Sequence, residues 1–133
     1  MKAFIVDLAN RAGSLASVCE ALAAGGINIG GTAGTAGTAA GSAGSFAFTA
    51  DDEAGARAVL DAHGSIYREV GLVVASLEHR PGSLAAAARR IADAGVNVET
   101  MFAIGMDGGK VLVAFGASDV VAARAALGEL AAG

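Results

Sequence analysis

One heptapeptide occurs twice in this chain. It reads Asn10-Arg11-Ala12-Gly13-Ser14-Leu15-Ala16 and then His79-Arg80-Pro81-Gly82-Ser83-Leu84-Ala85, at an offset of 69 residues. The same offset relates Ile27-Asn28-Ile29 to Val96-Asn97-Val98. Each heptapeptide follows a run of strand-forming residues and opens a helical pattern, and each β-branched triplet follows a glycine. Self-similarity at a fixed spacing means that one structural unit has been used more than once. The chain of 133 residues is therefore read as two copies of a small α/β unit, residues 1–70 and residues 71–133.

Within the first copy, Ala3 to Leu8 is rich in strand formers, and Asn10 to Gly13 makes a turn. Leu15, Val18, Cys19 and Leu22 form the i, i+3, i+4, i+7 stripe of a helix. Ser14 has the chemistry of an N-cap, because its hydroxyl can accept a free backbone N–H. Gly25-Gly26 ends the helix. Residues 30–45 contain only Gly, Thr, Ala and Ser, which favours a flexible hairpin loop or a strand end that melts into one. Phe46 to Thr49 is the return strand. Asp51-Asp52 caps a second helix that carries Val59, Leu60 and His63 and stops at Gly64. Ile66 to Val70 reads as a fourth strand, separated from the next by Gly71.

The second copy repeats the order, with Leu72 to Leu77 as strand and a helix from Ser83 to Asp93 that turns Leu84, Ala88 and Ile91 inward. Val96 to Ile104 and Val111 to Phe115 are joined at Asp107-Gly108-Gly109, a hairpin signal. Ser118 caps a last helix carrying Val120, Val121, Leu127 and Leu130. Arg57 matches Arg124 at an offset of 67, so the second copy is shorter. It has no room for a fourth strand after Leu130. The order β-α-β-β-α-(β) gives an α+β fold, two ferredoxin-like units in tandem, each an antiparallel sheet with both helices on one face. The first strand of each copy is apolar on both faces. Either another sheet covers it, a second chain being one source, or surface aliphatics are tolerated there.

Composition narrows the function classes. Nine basic and thirteen acidic residues give a net charge of −4, against the basic surface that nucleic acid demands. One cysteine, Cys19, on the apolar helix stripe, excludes an intrachain disulfide and reads as core. Asp7 interrupts any apolar leader at the N-terminus, and the uncharged stretch 21–50 is broken too often to span a membrane. A cytoplasmic protein is expected. His63 and His79 lack partners at metal-ligand spacing. Gly31-x-x-Gly34-x-x-Gly37 lacks the spacing and the lysine of a phosphate loop. No nucleophile–base–acid set is present, so neither catalysis nor a cofactor is expected.

The sequence Asn-Arg-x-Gly-Ser-Leu after a strand, then a helix, then Gly-Ile-Asn-Ile and a hairpin, resembles the ACT domains attached to many amino-acid-metabolic enzymes. The resemblance covers essentially the whole chain as a tandem pair. It implies an amino acid bound at the interface between units, regulation of a partner enzyme, and pairing into a homodimer. Carried over by position, the ligand-binding residues are Asn10, Arg11, Ala12, Gly13, Ser14, Leu15, Asn28 and Ile29 in the first copy. In the second they are Arg80, Pro81, Gly82, Ser83, Leu84, Asn97 and Val98. Ala12 stands where the family prefers Pro, and His79 where it prefers Asn or Asp.

The residues themselves support the same chemistry. A helix start presents unpaired N–H groups and the positive end of a dipole, which suits a carboxylate. Gly13 and Gly82 leave the backbone open to close approach. Arg11 and Arg80 offer charged donors, and Asn28 and Asn97 offer acceptors for an ammonium. Between the two turns, Pro81 pre-organises the second, which is the expected site if only one binds. Two functions remain open on these grounds. One is a non-catalytic amino-acid sensor, and the other is a structural dimerisation or adaptor module that binds no ligand.

Overall fold

A computed structural model describes residues 1–37 and 43–132. The chain separates into two compact units, Ala3–Glu69 and Val70 onward together with Met1–Lys2. In the first, β1 (Lys2–Leu8) leads to α1 (Ser14–Ala24), then β2 (Ile29–Thr35), β3 (Gly44–Ala50), α2 (Glu53–His63) and the start of β4 (Tyr67–Glu78). In the second, the rest of β4 leads to α3 (Ser83–Asp93), β5 (Val98–Asp107), β6 (Lys110–Ala117) and α4 (Val120–Leu127). Every registered strand pair is antiparallel: β3 lies between β1 and β2, and β6 between β4 and β5. Both units are ferredoxin-like, as the order of elements predicts.

Alternation along each strand builds the cores. In β1 and β3, Phe4 lies opposite Phe48 and Val6 opposite Phe46, and all four are buried. They pack with Val18 and Leu22 of α1 and Ala56 and Leu60 of α2. The Phe4 and Phe48 rings stack with centroids 5.4 Å apart. In the second unit, Val73, Ala75 and Leu77 of β4 and Val113 and Phe115 of β6 meet Ala87 and Ile91 of α3 and Ala123 and Leu127 of α4. Both helices of a unit thus lie on one face of its sheet. Ala3, Ile5 and Ala47, which alternate with the first set, are buried as well.

Several local expectations are revised. The helix stripe of α3 buries Ala87 and Ile91 and leaves Leu84 42% exposed. Gly71 is not a separator, because β4 runs through it without a break. A Cβ there would lie 2.6 Å from Cγ2 of Val120, so close packing at the start of α4 requires glycine. Of the two readings of the Gly-Thr-Ala-Ser tract, its first part follows the second, a strand end, since β2 continues to Thr35. Its backbone pairs with β3, and the irregularity between Ile29 and Thr32 is met by Thr49, whose hydroxyl accepts the Gly31 N–H at 3.0 Å. Residues 38–42 of that tract lie outside the described residues. The Asp107–Lys110 hairpin matches expectation, with Gly108 and Gly109 both at positive φ. In place of a fourth strand in the second unit, the chain end lies along β4. Ala131 bridges Ala75, and the Ala132 N–H donates to the Val74 carbonyl at 2.7 Å.

Candidate functional site

The two repeated turns fold alike to within a few degrees. Gly13 takes φ 92° and ψ −12°, and Gly82 takes φ 90° and ψ −15°. In each, the arginine N–H donates to a carbonyl two residues back, Arg11 to Ala9 at 2.9 Å and Arg80 to Glu78 at 3.0 Å. The glycine carbonyl then accepts the first intrahelical bond, from Ser17 or Ala86, at 2.9 Å. Glycine is demanded by the left-handed backbone and not by crowding, since a Cβ at either position would meet nothing within 4 Å.

This geometry corrects the assignment of Ser14 and Ser83 as helix caps. The capping position belongs to the glycine, and neither helix start has a side-chain cap. Each serine is the first helical residue, and its hydroxyl oxygen is buried with no partner among the described residues. The first-turn N–H groups therefore lack a side-chain acceptor and face an open glycine. The other two helices are capped conventionally. Asp52 accepts from the Gly55 N–H at 2.9 Å, and Asp119, not Ser118, accepts from the Ala122 N–H at 3.0 Å.

A cleft of about 650 Å³ opens at the first turn. Its walls are Asp7 to Ala9 at the end of β1, Arg11 to Ser14 of the turn, Ser17 and Val18 of α1, and His63 to Ile66 after α2. His63 is held by two hydroxyls, with Ser17 Oγ 3.0 Å from Nε2 and Ser65 Oγ 3.1 Å from Nδ1. The Asp7 N–H donates to the Ile66 carbonyl at 2.8 Å, which fixes the strand end carrying the carboxylate. Neither Arg11 nor Asp7 forms an ion pair among the described residues. The cleft thus presents a free cation beside a helix start, a free carboxylate, and the hydroxyls of Ser17 and Ser65. A second, smaller cavity of about 250 Å³ shares Leu8, Ala9, Arg11 and Ser14 with the cleft and continues to Leu15, Gly34, Thr35 and Gly44.

The expected site residues are divided by this arrangement. Asn10, Arg11, Ala12, Gly13, Ser14 and Leu15 line one or both cavities. Asn28 and Ile29 do not join them, because they follow the far end of α1. That helix has 11 residues and so is about 16 Å long. The backbone of Asn28 is instead tied to Asp51: its N–H donates to Asp51 Oδ1 at 3.0 Å, and its carbonyl accepts from the Asp51 N–H at 3.1 Å. In the second copy the Asn97 carbonyl likewise accepts from the Ser118 N–H at 3.2 Å. Ile29 and Val98 pack against the cores of their own units. Arg80, Pro81 and Gly82 are exposed, Ser83 is partly buried, and Leu84 is 42% exposed.

Asp7, Ser17, His63 and Ser65 were not anticipated. Their positions in the second copy hold Ser76, Ala86, Leu130 and Ala132, at offsets of 69 for the first pair and 67 for the second. Aligning the two copies reveals this inequality, but only the fold shows that the four residues share one cleft. Among the described residues no cluster of His, Cys, Asp or Glu could hold a metal ion. No described helix is long and apolar enough to cross a membrane.

No family model matches the sequence, and no curated protein matches it. Solved structures do. A protein from Bacteroides thetaiotaomicron superposes with a TM-score of 0.78 at 23% identity, covering 96% of this chain and 86% of its own. The regulatory subunit of aspartate kinase from Thermus thermophilus, in its ligand-free form, gives 0.68 at 20% identity over 97% of this chain and 90% of its own. The same subunit from Thermus flavus gives 0.68 at 22% identity over 95% and 90%. The class defined by the fold is a tandem pair of ferredoxin-like units, here with an Arg-x-Gly-Ser motif in the β1–α1 and β4–α3 turns. The chain shares the fold of two tandem ferredoxin-like units with these regulatory subunits, the fold that the resemblance to ACT domains implies.

Proposed function

We propose that this chain is a non-catalytic regulatory protein that senses a free amino acid, bound at the first Arg-x-Gly-Ser turn. The supporting observation is the pairing of opposite charges in one cleft. Arg11 and the uncapped start of α1 suit an α-carboxylate, and Asp7 suits an α-ammonium. The Ser17–His63–Ser65 chain supplies further hydrogen-bonding groups around them. Asp7 therefore takes the role that the sequence suggested for Asn28. The second turn keeps the backbone geometry but has Ser76 in place of the carboxylate, so the first turn is the binding turn. A regulated enzyme partner completes the proposal, by analogy with the regulatory subunits that share the fold, together with the homodimer that the sequence resemblance implies.

Calorimetry and thermal shift against the twenty amino acids test it. At least one should bind saturably and raise the melting temperature. An absence of heat and of any shift across the panel sinks the proposal and leaves the adaptor module in its place.

A further inference from the structure

The small cavity beside the cleft has a composition of its own. It lies between the start of α1 and the β2–β3 hairpin, and its side-chain walls include Leu8, Leu15 and Ala36. Gly34 and Gly44 widen it from the hairpin side, and Arg11 is its one charged lining residue among the described residues. Its volume, about 250 Å³, falls below the range typical of pockets for whole drug-sized ligands. That suits a single side chain. Leu8, Ala9, Arg11 and Ser14 form a ridge that borders this cavity on one side and the charged cleft on the other.

From this shared ridge we infer that the sensed ligand is an amino acid with a branched aliphatic side chain, and that Leu8, Leu15 and Gly34 determine the choice. The inference rests on the binding turn proposed above. With the α-carboxylate at Arg11 and the α1 start, the ammonium faces Asp7 across the ridge, and the side chain enters the apolar cavity. A lysine or arginine side chain would bring its charge towards Arg11 with no carboxylate among the lining residues to receive it. Glycine and alanine leave most of the cavity unfilled. Leu15 is half exposed, which leaves its side chain available for contact with a ligand.

Gly34 gives a clean test, because a Cβ built there meets only the Ser45 carbonyl oxygen, at an ordinary contact distance of 3.8 Å. Gly34→Val is therefore compatible with the strand, and its added bulk fills the cavity. Calorimetry on the full chain should show valine, leucine or isoleucine binding at least about tenfold tighter than glycine, the span that one or two methylenes give in a hydrophobic pocket. Gly34→Val should erase that preference while glycine or alanine still binds. Leu15→Asn, at a half-exposed site, should weaken the aliphatic ligands at least about fivefold and leave glycine unchanged. Binding by the wild-type chain that favours charged or aromatic amino acids, or that ignores Gly34→Val, overturns the inference and leaves the sensor proposal standing. An absence of binding by any amino acid removes the sensor proposal itself.

Discussion

At the scale of single residues, the repeated turn separates two jobs that the sequence makes look like one. Serine after glycine at a helix start has the chemistry of a cap, but a left-handed glycine moves the cap one residue earlier. Ser14 and Ser83 are left with buried hydroxyls that have no partner among the described residues. Removing an unpaired buried group costs little, so Ser14→Ala and Ser83→Ala should change stability by less than about 0.5 kcal/mol in urea denaturation, or increase it. Asp52→Ala removes a genuine cap and should cost about 1 kcal/mol in the same assay. Gly13→Ala and Gly82→Ala force a Cβ into the left-handed region and should each cost roughly 1–2 kcal/mol, although nothing nearby obstructs the new atom. For the ligand, Arg11→Ala and Asp7→Asn should each raise Kd roughly 10- to 100-fold, the equivalent of about 1.5–3 kcal/mol for a hydrogen bond to a charged group. Arg80→Ala, at the turn where Ser76 stands in the position of Asp7, should leave Kd unchanged. The motif was legible in the sequence, but the carboxylate beside it, the proposed ammonium acceptor, was not. Asn28 is conspicuous through repetition, whereas Asp7 is visible only once β1 is seen to end beside the turn.

At the scale of elements, polar ties hold the second helix of each unit. Arg57 on α2 makes a two-pronged bond to Glu69 on β4, at 2.6 and 2.9 Å. That bond holds the guanidinium above its ordinary pKa, and the bond from Tyr67 to Asp61 likewise raises the phenol. In the second unit, Arg90 on α3 reaches the Leu127 carbonyl and Glu129, both at 2.8 Å, which ties α3 to the end of α4. The Arg90 hydrogen bond lowers the Glu129 pKa from 4.5 to about 2. A carboxylate depressed in the folded state stabilises it above the unfolded pKa, and that contribution fades as pH falls through the folded value. Melting temperatures between pH 4.5 and about 2 should therefore fall more steeply for the wild-type chain than for Glu129→Gln. The strand β4 carries a different constraint. Gly71→Ala would drive its Cβ into Val120, and overpacking of this kind costs typically about 1–3 kcal/mol. Adding Val120→Ala should recover part of that loss, and a double-mutant cycle by urea denaturation measures the coupling.

At the scale of the molecule, two units keep separate cores, each built on an alternating strand pair and the inward faces of two helices. Phe48 anchors one core and Phe115 the other, and both are essentially inaccessible to solvent. Phe115→Ala should cost about 3–5 kcal/mol, as should Phe48→Ala, measured by chemical denaturation. Light scattering tests the proposed homodimer, for which a mass of twice 12.8 kDa is expected.

The order of elements, the duplication, the helix ends at glycine and the Asp-Gly-Gly hairpin were all determined by the sequence alone, because each depends on near neighbours in the chain. Periodicity selects helix or strand, and backbone conformation selects glycine. Tertiary structure decided the rest. It set which face of α3 is buried, since Leu84 and Ala87 differ in environment and not in helical spacing. It made Gly71 a packing position inside a continuous strand, because its neighbour Val120 is nearly fifty residues away. It also gathered Asp7, Arg11, Ser17 and His63 around one cleft while sending Asn28 to the opposite end of α1. A binding site depends on which strand and helix ends meet, and no spacing along the chain records that.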